Sequence, residues 1–285
     1  MNILAIHSWV AYGHVGNAAA LFPLQRLGAE VWAVNTVQYS NHPGYGGFAG
    51  RAAEPAELAA LIAGIAARGV FPRCDGVLSG YAPSPGTAVA MAEAAARVRA
   101  ANPPALYCCD PVLGDAGRLY IAPDAAAALR DRTLPQADLA TPNAFELGWL
   151  TGRETARLDE ARAAAAALAA RMRPGGPRVV LVTSLRTEAT EAGSLDMLAL
   201  ACGQSFLLRT PELKLAANGA GDALAALFLF HMLTAGAVRP ALERAAAALF
   251  GVLRRTAEAG ARELLLVAAQ EELVAPSHRF SAIPL

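Results

Sequence analysis

The part of the sequence best suited to chemistry is a glycine-rich pentapeptide that precedes a predicted helix. It reads Asn218-Gly219-Ala220-Gly221-Asp222, and apolar residues at helical spacing follow it. Glycines at a helix start leave backbone N–H groups open to an anion. A carboxylate beside such an anion hole can accept a proton from an attacking hydroxyl, which is the arrangement that phosphoryl transfer needs. An ordinary glycine-rich turn with Asp at the helix start is the alternative interpretation.

Two further carboxylates follow predicted strands. Asp110-Pro111-Val112 ends one buried strand, and Thr141-Pro142-Asn143 with Glu146 ends the next strand and opens a helix. Asp110 and Glu146 are therefore expected close together, where their hard oxygens suit Mg²⁺ held largely through water and substrate phosphates. In the alternative interpretation Asp110 merely ends a strand and Asn143 caps a helix.

Other common sites are excluded or disfavoured by residue type and spacing. Lys214 is the only lysine and precedes the glycines, so the chain has no P-loop. The GxGxxA match at Gly44 to Ala49 does not join a strand to a helix, so we interpret it as a flexible loop. The five histidines lack zinc-binding spacing. We predict a structural role for His7 in the first strand and ligand contact for His42.

Alternating strands and helices are predicted to position these candidate site residues. The predicted strands are Asn2 to Ile6, Val31 to Val37, Gly76 to Ser79, Ala105 to Cys109, Asp138 to Thr141 and Arg178 to Thr183, with a hairpin from Leu195 to Leu208 that turns at Gly203. The predicted helices are Val15 to Leu27, Pro55 to Gly69, Gly86 to Ala101, one from Pro123, Ala144 to Leu150, Asp159 to Met172, Ala220 to Leu233 and Pro240 to Glu258.

This alternation predicts an α/β fold, a mostly parallel sheet with helices on both faces. Ligands bind such sheets beyond the carboxyl ends of the strands. Polar residues fall just past the predicted strands: Ser8, Ser40, Asn41, His42, Tyr81, Asp110, Asn143 and Ser184. We therefore expect one polar rim that holds the site.

Composition points to a small-molecule partner. The 285 residues carry 24 basic and 24 acidic side chains, and this neutrality argues against nucleic acid and anionic membrane as partners. Polar residues interrupt the uncharged first 25 positions, so we predict no membrane span. We expect a single domain over residues 1–285 and a cytoplasmic protein in which Cys74, Cys108, Cys109 and Cys202 are reduced core residues.

Several motifs occur in an order typical of one family. They are Ile3 to Ser8 with Tyr12 to Asn17, Asn35 to His42, Leu78 to Tyr81, Cys109 to Asp115, Thr141-Pro142-Asn143 with Glu146, Gly219 to Asp222 and Val267 to Gln270. On these motifs the chain resembles, nearly end to end, the pyridoxal kinases of the ribokinase-like superfamily. Ser8, Ser40-Asn41-His42 and Tyr81 point to pyridoxal within that superfamily. The resemblance implies a three-layer α/β/α fold with a central, mostly parallel sheet.

The resemblance also implies a reaction and roles for residues. ATP would phosphorylate the 5′-hydroxyl of pyridoxal to give pyridoxal 5′-phosphate, with Asp222 as the base and the Gly219, Ala220 and Gly221 amides as the anion hole. Substrate contacts would come from Ser8, Val15, His42 and Tyr81. The residues implied for Mg-ATP are Asp110 and Glu146 at the metal, Asp115 and Tyr120 on a flap, and Thr141, Asn143, Thr183 and Ser184 by the nucleotide. A homodimer is also implied.

The chain departs from the family pattern at some positions. Pro43 stands where many members have Thr, which removes a hydroxyl and an N–H donor, so the preferred vitamer stays open. Ala220 gives the sugar-kinase form of the glycine element, and the flap is a few residues shorter than in many relatives. Dependence on a monovalent cation stays open. The alternatives are a hydroxymethylpyrimidine or sugar kinase and a non-catalytic vitamin-binding module.

Overall fold

The computed structural model describes residues 1–215 and 217–285 and contains a large sheet and two layers of helices. The strands are β1 (Asn2–Tyr12), β2 (Glu30–Asn41), β3 (Gly50–Ala52), β4 (Gly76–Ser79), β5 (Leu106–Cys109), β6 (Gly114–Asp115), β7 (Arg118–Leu119), β8 (Leu139–Ala140), β9 (Val179–Leu185), β10 (Ser194–Ala201), β11 (Gln204–Pro211) and β12 (Ile283–Pro284). The α-helices are α1 (Asn17–Arg26), α2 (Pro55–Ala66), α3 (Pro85–Ala101), α4 (Pro123–Ala128), α5 (Ala144–Thr151), α6 (Leu158–Arg171), α7 (Ala220–Ala235), α8 (Val238–Glu258) and α9 (Glu271–Val274).

The central sheet has the strand order β12-β11-β10-β9-β8-β5-β4-β1-β2-β3. Neighbours from β9 to β2 run parallel, and the outer strands on both sides pair antiparallel. Successive strand residues point to opposite faces of the sheet and pack into two separate hydrophobic cores. Cys109 therefore packs on the face covered by α2 to α6, and Cys108 on the face covered by α1, α7 and α8. The expected three-layer α/β/α fold is confirmed.

Strands β1 and β2 run further than the sequence predicted. Pairing of β1 with β4 stops at Ile6, whereas pairing with β2 continues to Tyr12 after an irregularity between His7 and Trp9. Ser8 therefore lies within β1, and Ser40 and Asn41 within β2, although the sequence predicted them in loops past the strands. His7 and Ser8 interrupt the apolar run of β1, and Ser40 and Asn41 are polar as well, so the sequence pattern did not indicate these extensions. The extensions project one wall beyond the carboxyl end of the sheet.

Short elements without an apolar pattern of their own also escaped prediction. They are β3, which pairs with β2, the β6-β7 hairpin, α9, and β12 at the edge of the sheet beside β11. The segment interpreted as a flexible loop contains a turn of 3₁₀ helix at Pro43–Tyr45. No helix within the described ranges is long and apolar enough to cross a membrane.

The four cysteines are free thiols, but they do not share one environment. Cys74, Cys108 and Cys109 are buried as predicted, and burial raises the pKa of Cys74 to about 11 and that of Cys109 to about 12. Cys202 is exposed in the turn between β10 and β11, so its prediction as a core residue was wrong. A two-residue turn leaves its side chain no core to enter.

This difference predicts selective labelling of the native protein. One equivalent of thiol should react rapidly with a disulfide reagent under native conditions, and four equivalents after unfolding, because only an accessible thiolate attacks. The release of the chromophore of the reagent measures both. Cys202→Ser should abolish the rapid equivalent, and rapid reaction of that variant would contradict the assignment.

Candidate active site

The carboxyl edge of the sheet brings two carboxylates from different elements to one imidazole ring. Asp110 follows β5, and Asp222 lies in the first turn of α7. Nε2 of His7, on β1, lies 3.1 Å from Oδ1 of Asp222 and 4.0 Å from Oδ2 of Asp110. All three side chains are almost completely removed from solvent. Two negative charges therefore share one basic group in a site of low dielectric.

Each carboxylate is also fixed by a second donor. The backbone N–H of Gly16 donates to Oδ2 of Asp222 over 2.7 Å, and the hydroxyl of Thr141 donates to Oδ1 of Asp110 over 2.8 Å. In both carboxylates the other oxygen faces His7. Asp222 thus has a hydrogen bond at Oδ2, and its Oδ1 lies at ion-pair distance from Nε2 of His7.

The three groups shift one another's pKa. Burial raises the pKa of Asp222, but His7 and the Gly16 N–H outweigh it, and the pKa is lowered. Burial, together with the charge of Asp222, raises the pKa of Asp110 against the opposing effect of His7. Burial lowers the pKa of His7, while the two carboxylates outweigh it and raise the pKa to about 9. Asp222 is therefore the carboxylate held in its ionised, proton-accepting form.

The glycine element starts α7 as predicted. Gly219 is the N-cap residue with φ 87°, and no side chain caps the helix there. A Cβ at Gly219 would lie 1.8 Å from the carbonyl oxygen of His14, so the helix start packs directly against the segment that joins β1 to α1. Open space surrounds the Cβ position of Gly221. The uncapped amides beside this space have the geometry of an anion site.

Glu146 has a different setting from Asp110. Its Oε2 accepts the N–H of Asn143 in a capping box, and its Oε1 accepts the N–H groups of Leu113 over 2.8 Å and Gly114 over 3.4 Å. Burial and the charge of Asp110 raise its pKa to about 8. Glu146 therefore fastens the base of the β6-β7 hairpin to α5.

The donors present fit Mg²⁺ best at Asp110. Its Oδ2 accepts no hydrogen bond from the described residues, and a hard carboxylate oxygen is the type of ligand that Mg²⁺ takes. Both oxygens of Glu146 already accept backbone hydrogen bonds, so its remaining lone pairs suit contact through water. Nε2 of His7 completes a group of three atoms within 4.8 Å of one another with Asp110 and Asp222, but nitrogen is not a preferred Mg²⁺ ligand.

The residues expected around the nucleotide share one end of this edge. The N–H of Thr183 donates to the carbonyl of Pro142 over 2.9 Å, which joins the end of β9 to the segment of Thr141 and Asn143. Ser184 follows with a left-handed φ of 50° and an exposed side chain. Asp115 lies on β6, and Tyr120 lies just after β7 with half of its surface exposed. The hairpin thus stands beside the Thr141 segment.

The residues expected around the substrate lie on β1 and on the segments that follow β1, β2 and β4. The N–H of Ser8 points at Nδ1 of His7 over 2.8 Å and that of Tyr81 over 3.4 Å. Burial lowers the pKa of His42, which lies within the electrostatic reach of Asp222 and Glu263. Val15 is buried on the segment whose Gly16 binds Asp222. Ser8 and Tyr81 therefore contact His7 through their backbone N–H groups, and Val15 is next to the Gly16 that binds Asp222.

Sequence reasoning missed three contributors to this geometry. His7 was assigned a structural role, although a polar ring inside a buried strand was a signal. The sequence gives no signal for Gly16, because Gly16 acts through its backbone N–H. Glu263 accepts the His14 N–H over 2.9 Å and the hydroxyl of Tyr45, which joins two substrate-side segments. Its position far along the chain gave no indication of this contact.

Similar proteins match this chain over nearly its whole length, and a family model matches part of it. The family described as phosphomethylpyrimidine kinase matches residues 86–265. The chain is 58% identical to pyridoxal kinase PdxY of Granulibacter bethesdensis, over 99% of each chain. It is similar to the pyridoxal kinase of Leishmania donovani solved with ADP and ginkgotoxin, at a TM-score of 0.92 and 31% identity over 100% of this chain and 99% of the other. The same enzyme solved with ADP and pyridoxine gives a TM-score of 0.91 at 31% identity, over the same shares of the two chains.

Proposed function

The chain belongs to the pyridoxal kinase family, and we propose from this premise which of its residues carry the reaction. The γ-phosphoryl group of ATP is transferred to the 5′-hydroxyl of pyridoxal, which yields pyridoxal 5′-phosphate and ADP. One observation carries the assignment of residues: Asp222 is a largely buried carboxylate, 13% exposed, of lowered pKa at the uncapped start of α7. A base and an anion hole thus adjoin each other at one helix terminus.

Asp222 is the general base in this proposal. As the substrate hydroxyl oxygen attacks the γ-phosphorus, its proton passes to a carboxylate oxygen of Asp222, and the bond from phosphorus to the β-γ bridging oxygen breaks with its electron pair going to ADP. The lowered pKa supports this role because the carboxylate is ionised before the hydroxyl arrives.

The first-turn amides of α7 stabilise the transferred group. Gly219, Ala220 and Gly221 supply backbone and space rather than side chains, so the phosphoryl oxygens can approach the helix terminus closely. The absence of a side-chain cap at Gly219 supports this assignment, because no side chain among the described residues caps the helix there.

Asp110 and Glu146 organise the metal and the nucleotide. Mg²⁺ bound at Asp110, with Glu146 behind it through water, would neutralise charge on the ATP phosphates. Asp115 and Tyr120 cover the nucleotide from the hairpin, and Thr141, Asn143, Thr183 and Ser184 line its other side. The contact between the Thr183 and Pro142 segments supports this grouping.

Ser8, Val15, His42 and Tyr81 hold the pyridine ring by non-covalent contacts. Their common position around His7 and Asp222 supports this role. Pro43 offers no N–H donor next to His42. The preference among pyridoxal and its amine and alcohol forms therefore depends on Ser8, Val15 and Tyr81.

A substrate panel tests the proposal. ATP-dependent phosphorylation should be fastest with pyridoxal or pyridoxine and far slower with hydroxymethylpyrimidine and ribose, as followed by ADP release and by the absorbance of pyridoxal 5′-phosphate. A chelator should abolish turnover, and added Mg²⁺ should restore it. Turnover measured with and without K⁺ tests the dependence on a monovalent cation. Preference for hydroxymethylpyrimidine or ribose, or binding of pyridoxal without turnover, would contradict the assignment.

We further propose a cytoplasmic homodimer of single-domain chains. Free thiols at all four cysteines support a reducing compartment. The homodimer rests on the family resemblance, and light scattering checks it as twice the mass of one chain.

A further inference from the structure

The side chain of His7 is the buried group closest to Asp222 for which the mechanism has no role. We propose that His7 is a positioning residue that holds the Oδ1 atom of Asp222 in place for proton transfer. The proposal rests on the proposed function of Asp222 as the base. It gives a task to a ring that is 1% exposed and has no contact with solvent or surface.

The contacts of the ring determine which nitrogen can serve Asp222. The N–H groups of Ser8 and Tyr81 both point at Nδ1, over 2.8 and 3.4 Å, and so favour Nδ1 as an acceptor. The ring hydrogen of neutral imidazole then lies on Nε2, and the doubly protonated ring carries a hydrogen there as well. In either state Nε2 presents a donor, and the carboxylates of Asp222 and Asp110 lie 3.1 and 4.0 Å away.

The same hydrogen argues against a metal ion at this cluster. A cation bound to Nε2 would have to displace that hydrogen, and an imidazole nitrogen is not a ligand that Mg²⁺ prefers. His7 therefore suits the role of a donor between two carboxylates, and not that of a ligand.

The ring is held firmly enough to orient another side chain. A Cβ at Gly80 would lie 1.8 Å from Nε2 of His7, so the ring packs directly against the Gly80 backbone. At Asp222 the Gly16 N–H donates to Oδ2, whereas Oδ1 lies 3.1 Å from Nε2 of His7, a buried nitrogen that has no other hydrogen-bond partner among the described residues. Loss of the His7 ring would leave the carboxylate held at Oδ2 alone, free to turn about its Cβ–Cγ bond.

The test compares a variant that lacks the donor with one that retains it. His7→Leu should lower kcat by about 10- to 100-fold, the range of a lost hydrogen bond to a charged group, with the KM for ATP within about threefold of wild type. His7→Gln should recover most of kcat, because its amide can accept from Ser8 and donate to Asp222. His7→Met, which fits irregular cavities, serves as the second apolar variant if the Leu variant melts early.

Combination with Asp222→Asn separates positioning from general structure. If His7 acts through Asp222, His7→Leu should lower kcat no further in the Asp222→Asn background, since the carboxylate it orients is gone. Multiplied losses, or equal loss in the Leu and Gln variants, would overturn the proposal. Wild-type turnover of Asp222→Asn itself would instead remove the premise that Asp222 is the base.

Discussion

Asp222→Asn should lower kcat for pyridoxal by about 10²- to 10⁴-fold, the usual contribution of general-base catalysis, while ATP still binds. The amide has the size of the carboxylate but cannot accept the hydroxyl proton as an ionised oxygen does. It also places an NH₂ group against one of two donors, the Gly16 N–H or Nε2 of His7. Steady-state kinetics gives kcat, and calorimetry with a non-hydrolysable ATP analogue gives the nucleotide affinity.

A matched control comes from a carboxylate outside the site. Asp131 pairs with Arg130 and Arg171 on the surface, so Asp131→Asn should retain wild-type kcat. A kcat for Asp222→Asn within threefold of wild type would contradict its role as the base. Both variants should remain folded at the assay temperature, as thermal unfolding checks, so that a loss of kcat is not a loss of fold.

The parts of the fold that the sequence predicted well have apolar residues at the regular spacing of a strand or a helix. The whole of β4 was predicted, as were the starts of α5 and α7, because a buried apolar strand, the capping box of α5 and the glycines before α7 are all local sequence signals. The glycine element and Asp110 were located for the same reason. Their spacing from predicted strand and helix ends put them on one edge of the sheet.

The missed parts depend on contacts between distant segments. Strands β1 and β2 continue because they pair with each other, which no local pattern of Ser8 or Ser40 reveals. The significance of His7 follows from the packing of α7 against the segment after β1, and the contact between Gly16 and Asp222 spans 206 residues. Local sequence signals thus located the groups proposed to react, whereas the groups that contact them emerge only from tertiary structure.

The site therefore depends on how closely the start of α7 approaches the segment after β1. That segment carries Val15, proposed to contact the substrate, and the Gly16 N–H that donates to Asp222, and its His14 carbonyl fills the space beside Gly219. The helix start carries Asp222 and the amides of the proposed anion hole. A small displacement between the two would misalign base, hydroxyl and phosphoryl group together.

Gly219→Ala should produce that displacement. Its Cβ would lie 1.8 Å from the His14 carbonyl oxygen, a contact that backbone on both sides cannot relieve cheaply, and φ 87° adds strain of about 1–2 kcal/mol. Loss of one anion-hole donor alone costs about 3 kcal/mol of transition-state stabilisation. We therefore expect kcat to fall by at least about 10²-fold, with a lowered melting temperature, as measured by kinetics and thermal unfolding.

Gly236→Ala is the matched control at the other end of the same helix. Gly236 also has a left-handed φ, of 65°, but a Cβ there would meet no atom within 4 Å. It should therefore lose stability from backbone strain alone, about 1–2 kcal/mol, and keep wild-type kcat. Equal loss of kcat in both variants would mean that strain in α7, and not its approach to His14, controls turnover. Wild-type kcat in Gly219→Ala would mean that the close approach is dispensable, since its Cβ cannot be accommodated without moving one of the two segments.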